Sequence, residues 1–310
     1  MNILSIIIPV FNEEKNIKIF YQTFLSVIKN LQNLHSYEII FINDGSKDNT
    51  LNIIKSLIIK DNNIKYISFS RKFGKESAIY AGLQKSTGNY IVVMDVDLQD
   101  PIDLLPEMYN LILTKQYDVI ATKRNNRTGE NKVRSFLSQK FYILFNKFSN
   151  IKLQEGLRDY RLMTRKVVDS ILSLKEYNRF SKGIFEWVGF KTKYLEFENK
   201  QRYFGQTKWS LYSLFVYAFE GIISFSTIPL VISSFLGILL LFVSLIITAI
   251  YFFKAIFLGD PIKGFPTIIC SIYLIGGIQL FCIGVLGQYI AKIYTETKKR
   301  PIYIIEEESL

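Results

Sequence analysis

The chain has 310 residues and a formal net charge of +11, room for one large domain plus an appendage and a charge suited to an anionic partner: nucleic acid, a phosphate ligand or anionic lipid. Its only cysteines, Cys270 and Cys282, share one apolar run; on a helix they stand about 18 Å apart, which excludes a bridge between them and leaves no cysteine zinc site. The single histidine, His35, lies in a polar linker and reads as a solvated surface residue, so general-base schemes built on histidine have almost nothing to work with.

Met1–Val10 has no basic n-region and only a short apolar run before Asn12, Glu13 and Glu14, so it does not read as a signal peptide and the first domain is expected in the cytosol. Leu4–Val10 reads as a buried strand. Ile17, Phe20, Tyr21, Phe24, Val27, Ile28 and Leu31 then recur at helical spacing, giving one apolar face. Tyr37–Ile42 is a second strand, Lys65–Phe69 a third, Tyr90–Met94 a fourth and Tyr117–Thr122 a fifth, with a helix over Lys75–Leu83. Strands alternating with helices predict a mainly parallel α/β sheet covered on both faces. Ligands of such sheets bind beyond the carboxyl ends of the strands, where Asn12, Glu13, Asp44, Arg71, Asp95 and Asp97 fall.

Lys132–Phe148 interleaves apolar and aromatic residues with Lys132, Arg134, Lys140 and Lys147, a pattern suited to a helix lying in the membrane interface; a core-facing helix is the alternative. Ser210–Ile223 is a second candidate of this kind. From Leu211 to Ile293 charges become sparse, and Pro229–Phe253 and Thr267–Ile290 are each long enough to cross a bilayer core. Lys292, Lys298, Lys299 and Arg300 follow the second span, against Lys254 and Lys263 between the two, which puts both termini in the cytoplasm. Ser233, Gly237, Ser244 and Thr248 share one face of the first span, as do Gly277, Gly284 and Ala291 of the second, suiting close packing within the hairpin or between subunits. Gln279, mid-span, is expected to bond another helix.

Met94–Pro101 carries the strongest chemical signal: a hydrophobic strand ends in Asp95 and Asp97, followed by Gln99. Buried carboxylates are costly unless they bind a cation or pair with a base. Mg²⁺-like ions take one or two carboxylates plus substrate phosphates and neutralise charge on a diphosphate leaving group. Asp100-Pro101 fits a helix N-cap with proline at N1. Asp44, closing the second strand, can accept an imide or amide N–H from uracil or from guanine.

Six segments in order carry a family resemblance: Ser5–Glu14 (SIIIPVFNEE), Asn43–Ser46 (NDGS), Ser70–Gly82 (SRKFGKESAIYAG), Asp95–Pro101 (DVDLQDP), Gly156–Arg165 (GLRDYRLMTR) and Arg202–Trp209 (RYFGQTKW). The chain resembles the family-2 glycosyltransferases of the GT-A fold, in particular the polyprenyl-phosphate branch that includes bactoprenol glucosyltransferases and dolichol-phosphate mannose synthases. The resemblance implies a Rossmann-like catalytic domain over residues 1–209 with the interfacial helix at 132–148. A juxtamembrane helix at 210–224, two transmembrane helices within 225–293 (about 229–253 and 267–290) and a cytosolic tail at 294–310 follow.

It further implies that Pro9, Glu13, Asp44, Lys75 and Asp95 hold the nucleotide-sugar and that Asp95, Asp97 and Gln99 hold Mg²⁺ or Mn²⁺. Arg124, Arg134, Ser138, Arg202 and Lys208 gather the donor diphosphate and the lipid phosphate. Asp97 and Asp159 are the catalytic candidates, Asp159 as acid or base or as an orienting group. Thr207 stands where the relatives carry serine, and Arg158 adds a charge that could lower the pKa of Asp159 or tune the acceptor phosphate. The implied reaction moves one sugar from a nucleotide-sugar, UDP-glucose first, onto undecaprenyl phosphate with inversion. It serves cell-surface glycan or O-antigen modification at the cytoplasmic (inner) membrane, in a multi-pass homo-oligomer such as a tetramer, without nucleic acid. GDP-mannose or a UDP-N-acetylhexosamine as donor, or an inactive nucleotide-sugar sensor at the membrane, are the competing readings. A processive synthase is disfavoured because no Gln-x-x-Arg-Trp segment is present.

Overall fold

The computed structural model describes residues 2–125, 142–143, 145–147, 149, 151–198, 223–258 and 264–310. Arg134, Ser138, Arg202 and Lys208, residues 210–222 and most of 132–148 lie outside the described residues. Side chains along a strand alternate between its two faces, and here both faces are apolar. Strand β1 (Ile3–Val10) pairs in parallel with β2 (Ser36–Asn43) and β4 (Tyr90–Val93), and β2 pairs in parallel with β3 (Ile64–Phe69). Ile6, Ile8, Ile39 and Phe41 enter one core, beneath Phe20 and Phe24 of α1 (Ile17–Ile28), Ile54 of α2 (Thr50–Ile58) and Met108 of α4 (Leu105–Leu113). Ile7, Ile40, Ile42 and Ile67 enter the other, against Ala78 and Ile79 of α3 (Lys75–Lys85), Val168 of α5 (Arg165–Ser173) and Phe185 of α6 (Ser181–Trp187). Each such fully buried side chain contributes roughly 1.5–3 kcal/mol, so the two-sided burial dictates the layering. At Gly82 a Cβ would come within 2.3 Å of Ile7 Cγ2; only glycine lets α3 lie this close to the sheet.

The remaining strands are β5 (Val119–Arg124), β6 (Leu157–Thr164), β7 (Thr192–Phe197) and β8 (Ile305–Ser309), giving the order β7-β5-β6-β4-β1-β2-β3-β8. Strand β6 runs antiparallel to β4 and β5, and β8 antiparallel to β3. The sheet is therefore mixed, more so than the alternation of strands and helices predicts, because β6 returns between two strands of the opposite direction. The chain's last residues, expected as a plain tail, form the edge strand β8. They are held there by Lys55–Glu307 at 2.7 Å and Lys85–Glu308 at 2.9 Å and by Tyr303 stacked on Phe69 with ring centroids 5.0 Å apart.

Two long helices, α7 (Ile228–Leu258) and α8 (Phe265–Thr297), cover the two expected apolar segments. Tyr289 Oη donates to the Ser226 carbonyl at 2.6 Å and Cys282 Sγ to that of Ser233 at 3.4 Å, so the helices run antiparallel. Among the described residues one stretch, Ile275–Thr297, is long and apolar enough to cross a membrane, and Ile228–Leu240 is a shorter apolar run. Among the described residues a Cβ built at Gly237, Gly277 or Gly284 meets nothing within 4 Å, whereas the Ser233 carbonyl accepts the Cys282 thiol across the hairpin. Gln279 is exposed and bonds no other helix among the described residues. In the segment 132–148, Phe145 is fully buried against Phe180 and Phe225, while Ile143 is 59% exposed.

At the sheet end away from the loops considered below, the buried Glu38 carboxylate accepts hydrogen bonds from Ser5 Oγ (2.5 Å), Thr87 N–H (2.7 Å), Thr87 Oγ1 (2.9 Å) and Lys65 Nζ (2.8 Å). Burial pushes its pKa up, but the bonds from Lys65, Ser5 and Thr87 outweigh it and hold the carboxyl below the ordinary glutamate value. A depressed folded-state pKa contributes stability that is present above the unfolded value and lost as pH falls through the folded one. Glu38→Gln is expected to cost about 2 kcal/mol at neutral pH. The gap to the native protein in thermal unfolding should close as the pH is lowered past the ordinary glutamate pKa; a gap independent of pH would show that the charge contributes nothing.

Candidate active site

The parallel strands end together, and the loops that follow them build the site. At the ends of β1 and β2 the backbone is stitched by short polar bonds. Asp44 N–H donates to the Val10 carbonyl at 2.9 Å, Asn12 N–H to Ser46 Oγ at 2.9 Å and Glu13 N–H to Thr50 Oγ1 at 2.8 Å. Pro9 is half-buried in this corner, and Glu13 Oε2 accepts from Asn16 Nδ2 at 2.6 Å. Pro9, Glu13 and Asp44 thus lie together at the ends of β1 and β2. Asp44 itself is 3% exposed. Its Oδ1 accepts N–H groups of Phe73 (2.6 Å) and Gly74 (3.0 Å), and its Oδ2 is 3.0 Å from Gly74 N. Burial raises its pKa against the pull of these two N–H donors. Asp44 therefore already serves the protein by tying β2 to the loop that starts α3; a carboxylate has about four acceptor positions, so room for a ligand N–H remains. Gly45, next in the chain, has φ +66° and a Cβ there would come within 2.6 Å of the Arg71 backbone; the turn requires glycine.

Asp95 and Asp97 lie on the loop after β4, with Asp97 Oδ1 accepting the Gln99 N–H at 3.2 Å. Strand β6 supplies the rest. Its antiparallel register pairs Val93 with Arg161; continued two residues, it sets Asp95 across from Asp159. Two carboxylates so placed repel unless a cation lies between them, and Lys75, first residue of α3, provides it. Lys75 Nζ is 2.7 Å from Asp95 Oδ1 and 2.6 Å from Asp159 Oδ2. Burial alone would lower the Lys75 pKa; Asp159 and Asp95 outweigh it and hold it above the ordinary lysine value. Burial alone would raise Asp159; Lys75 first and Lys182 second hold it well below the usual carboxylate range. Asp159 is thus an anion at neutral pH, a poor proton donor and a weak base.

Arg158 pairs with a different acid from the one considered from sequence. Its Nε donates to Asp100 Oδ1 at 2.7 Å, and its Nη2 lies 3.5 Å from Gln99 Oε1. Asp100 is 2% exposed with Oδ2 unpartnered; burial pushes its pKa up to about 6, Asp95 adding and Arg158 opposing. Nor does Asp100 act as the helix cap read from Asp100-Pro101. A 3-10 turn (Ile102–Leu104) intervenes before α4, and no side-chain cap bond is made there. Arg124, at the end of β5, donates its N–H to the Gly156 carbonyl at 3.1 Å. Arg134, Ser138, Arg202 and Lys208 lie outside the described residues.

Two residues in this region were not legible as site residues. Arg161, two positions after Asp159 on the same strand face, is 1% exposed with its guanidinium 3.7 Å from the centroid of the Phe185 ring; nothing in the pattern of β6 marked it out from Arg158 and Asp159. Lys182, on α6, had no signal either. A hard divalent cation takes one or two carboxylates and completes its shell with phosphate oxygens and water. Asp95 and Asp97 fit that minimum. No group of three or more His, Cys, Asp or Glu side chains able to hold a metal occurs among the described residues, so a bound ion would depend on the substrate for further ligands. The arrangement can hold a diphosphate through cations and orient a nucleophile without removing a proton from it.

The family model for glycosyl transferase family 2 matches residues 5–172. The chain is 44% identical to "Prophage bactoprenol glucosyl transferase homolog" of Escherichia coli (strain K12), over 98% of each chain. It is 42% identical to "Bactoprenol glucosyl transferase" of Shigella phage SfX, again over 98% of each, and 44% identical to a Bacillus subtilis (strain 168) protein named as a glycosyltransferase, over 99% of this chain and 92% of that one. With the mixed α/β sheet and the acids gathered at its carboxyl edge, these matches identify the chain as a member of glycosyl transferase family 2 and as a glycosyltransferase enzyme.

Proposed function

We propose that this enzyme transfers one glucose from UDP-glucose to undecaprenyl phosphate at the cytoplasmic face of the membrane, with inversion at the sugar carbon. The reading is carried by near full-length relatives named for bactoprenol glucosyl transfer, and it is supported by a site in this chain whose acids Asp95, Asp159 and Asp100 are paired with the half-buried cations Lys75 and Arg158. In this reaction an oxygen of the acceptor phosphate attacks the anomeric carbon and the bond from that carbon to the donor diphosphate breaks, releasing UDP. A lipid phosphate is already ionised near neutral pH, so no base need deprotonate it. The work left to the protein is to align two anions and to withdraw charge from the leaving diphosphate. Asp95 and Asp97, with Gln99 beside them, would hold a divalent cation, which when bound supplies charge neutralisation at the diphosphate. Lys75 stands at the same place from the protein side. Asp159, held anionic, orients Lys75 and the sugar and does not exchange a proton. Pro9, Glu13 and Asp44 hold the nucleoside; Arg124, with Arg134, Ser138, Arg202 and Lys208, meets the phosphates.

We further infer that α7 and α8 cross the membrane as a hairpin. Strand β8 lies in the same sheet as β1 to β7, so the two ends of the chain occupy one side of any bilayer and crossings between them come in pairs. Ile275–Thr297 is one candidate crossing. Helix α7, with 31 residues, extends roughly 45 Å at 1.5 Å per residue, more than a hydrocarbon core of about 30 Å requires. Phe235 and Ile246 on α7 and Leu280 and Ile283 on α8 are more than half exposed, an apolar surface that suits lipid. Lys298, Lys299 and Arg300, by the positive-inside bias, favour a cytoplasmic position for the sheet.

The transfer is read by supplying purified protein with undecaprenyl phosphate, Mg²⁺ and a panel of labelled UDP- and GDP-sugars. Label is expected in the lipid phase from UDP-glucose and abolished by EDTA. Asp97→Asn is expected to lower it by at least about 100-fold while the protein remains in the membrane fraction. Nucleotide binding without transfer from any donor would favour the sensor reading, and transfer that survives EDTA would remove the cation from the mechanism. For topology, Gly264→Cys with Cys270 and Cys282 changed to Ser is expected to react with an impermeant maleimide in intact cells; reaction only after lysis would overturn the hairpin.

A further inference from the structure

Near its end, helix α8 meets the catalytic domain through Glu296 and Thr295. Glu296 accepts the N–H of Tyr177 (3.0 and 3.1 Å), the N–H of Asn178 (2.9 Å) and Asn178 Nδ2 (3.0 Å), and Asn178 Nδ2 also donates to Thr295 Oγ1 at 2.8 Å. Hydrogen bonds to a charged acceptor are about twice as strong as neutral ones, and here they fasten a loop backbone to the end of a helix. That loop runs directly into α6. There Ser181 donates its N–H to Glu76 at 2.8 Å and its hydroxyl to the same oxygen, and Glu76 is the neighbour of Lys75. An unbroken run of bonds thus joins the end of α8 to the cluster of Lys75, Asp95 and Asp159. The entrance to α7 is fastened at the same place: Lys292 Nζ donates to Ser224 Oγ at 2.7 Å, and a Cβ at Gly183 of α6 would come within 2.4 Å of the Phe225 ring.

We propose that Glu296 is a positioning residue that fixes the height of the active site above the bilayer, so that the site is matched to a phosphate held at the membrane surface. This inference rests on the lipid-phosphate acceptor proposed above. Glu296 touches no reacting atom; it acts through the 177–181 segment. Its loss leaves the site's internal bonds intact and frees the domain to tilt on the hairpin. A long-chain acceptor, whose phosphate cannot follow the tilt, is then presented out of line, whereas a short soluble acceptor still reaches the site by diffusion.

The experiment compares native protein, Glu296→Ala and Lys298→Ala in lipid nanodiscs. Lys298 lies on the same helix end and contacts the Tyr294 ring at 4.1 Å. Two acceptors are used, undecaprenyl phosphate in the bilayer and the phosphate of a short, water-soluble prenyl chain. Glu296→Ala is expected to lower kcat/KM for the bilayer acceptor about tenfold, since displacements of about 1 Å can cost still more. The short acceptor, the affinity for UDP and the Lys298→Ala variant should stay within about twofold of native. Equal losses with both acceptors would make Glu296 a structural residue only, and no loss with either would make the contact idle; both overturn the inference. If Glu296→Ala does not fold, Glu296→Gln, which keeps one oxygen for the N–H groups, is read in the same assays, with a smaller loss expected for the bilayer acceptor alone. Native protein inactive with both acceptors would overturn the transfer reading and this inference with it.

Discussion

Everything at the carboxyl edge of this sheet depends on the mutual repulsion of Asp95 and Asp159 and on the cation that relieves it. Antiparallel pairing of β4 with β6 places the two acids across from each other, partly withdrawn from water. Left alone, the two charges would repel each other. Lys75 relieves that repulsion by standing within 3.0 Å of both, and its position is secured from behind. Asp44 holds the N–H groups of Phe73 and Gly74 just before it, and Glu76 just after it holds Ser181. The start of α3 is thus fixed from both sides of Lys75, which lies between the two acids.

The same arrangement limits the chemistry. A carboxylate held far below its ordinary pKa is a stable anion and a weak base, so Asp159 is better suited to holding a geometry than to moving a proton. A nucleophile that arrives already ionised makes no other demand. The cations around it, Lys75 and Arg158 in ion pairs and Lys182 acting on Asp159, suit a reaction between two phosphate-bearing substrates. In the transfer proposed above both substrates carry phosphate, so the protein must bring like charges together, and a basic residue to activate the acceptor would be redundant.

The parts of the fold that could be read in the sequence are those where local pattern and tertiary environment agree. Strands β1 to β5 are apolar runs ended by polar turns, α1 shows one apolar face, and the acids after β4 interrupt an otherwise hydrophobic stretch. The parts that could not be read violate that agreement. Strand β6 contains Arg158, Asp159 and Arg161, charges that exclude a strand on pattern alone; Arg161 is accommodated by the Phe185 ring beneath its guanidinium and by the Arg158 carbonyl that its Nη2 donates to. Strand β8 contains three consecutive glutamates, which read as a solvated tail until Lys55 and Lys85 are seen to receive two of them. Asp100 before proline has the form of a helix cap, and its real partner, Arg158, is 58 residues away. Each miss is a long-range charge pairing, and single-sequence periodicity carries no information about pairings of that kind.

Those long-range pairings also decide how the domain relates to the helices. A catalytic domain joined to a membrane anchor by one flexible linker would sample many heights and tilts, and its site would meet a lipid phosphate only occasionally. This chain is fastened where it enters the hairpin, through Phe225 against Gly183, and where it leaves, through Glu296 on the 177–178 backbone. It is fastened a third time when β8 completes the sheet beside β3. Three contacts thus join the domain to the helices and constrain their relative placement. The edge strand adds a further consequence, since it covers the hydrogen-bonding edge of β3 that would otherwise be open to another chain. Lys55 and Lys85 compensate two of the glutamates of β8, and this is what lets so polar a segment pair with β3 as a strand.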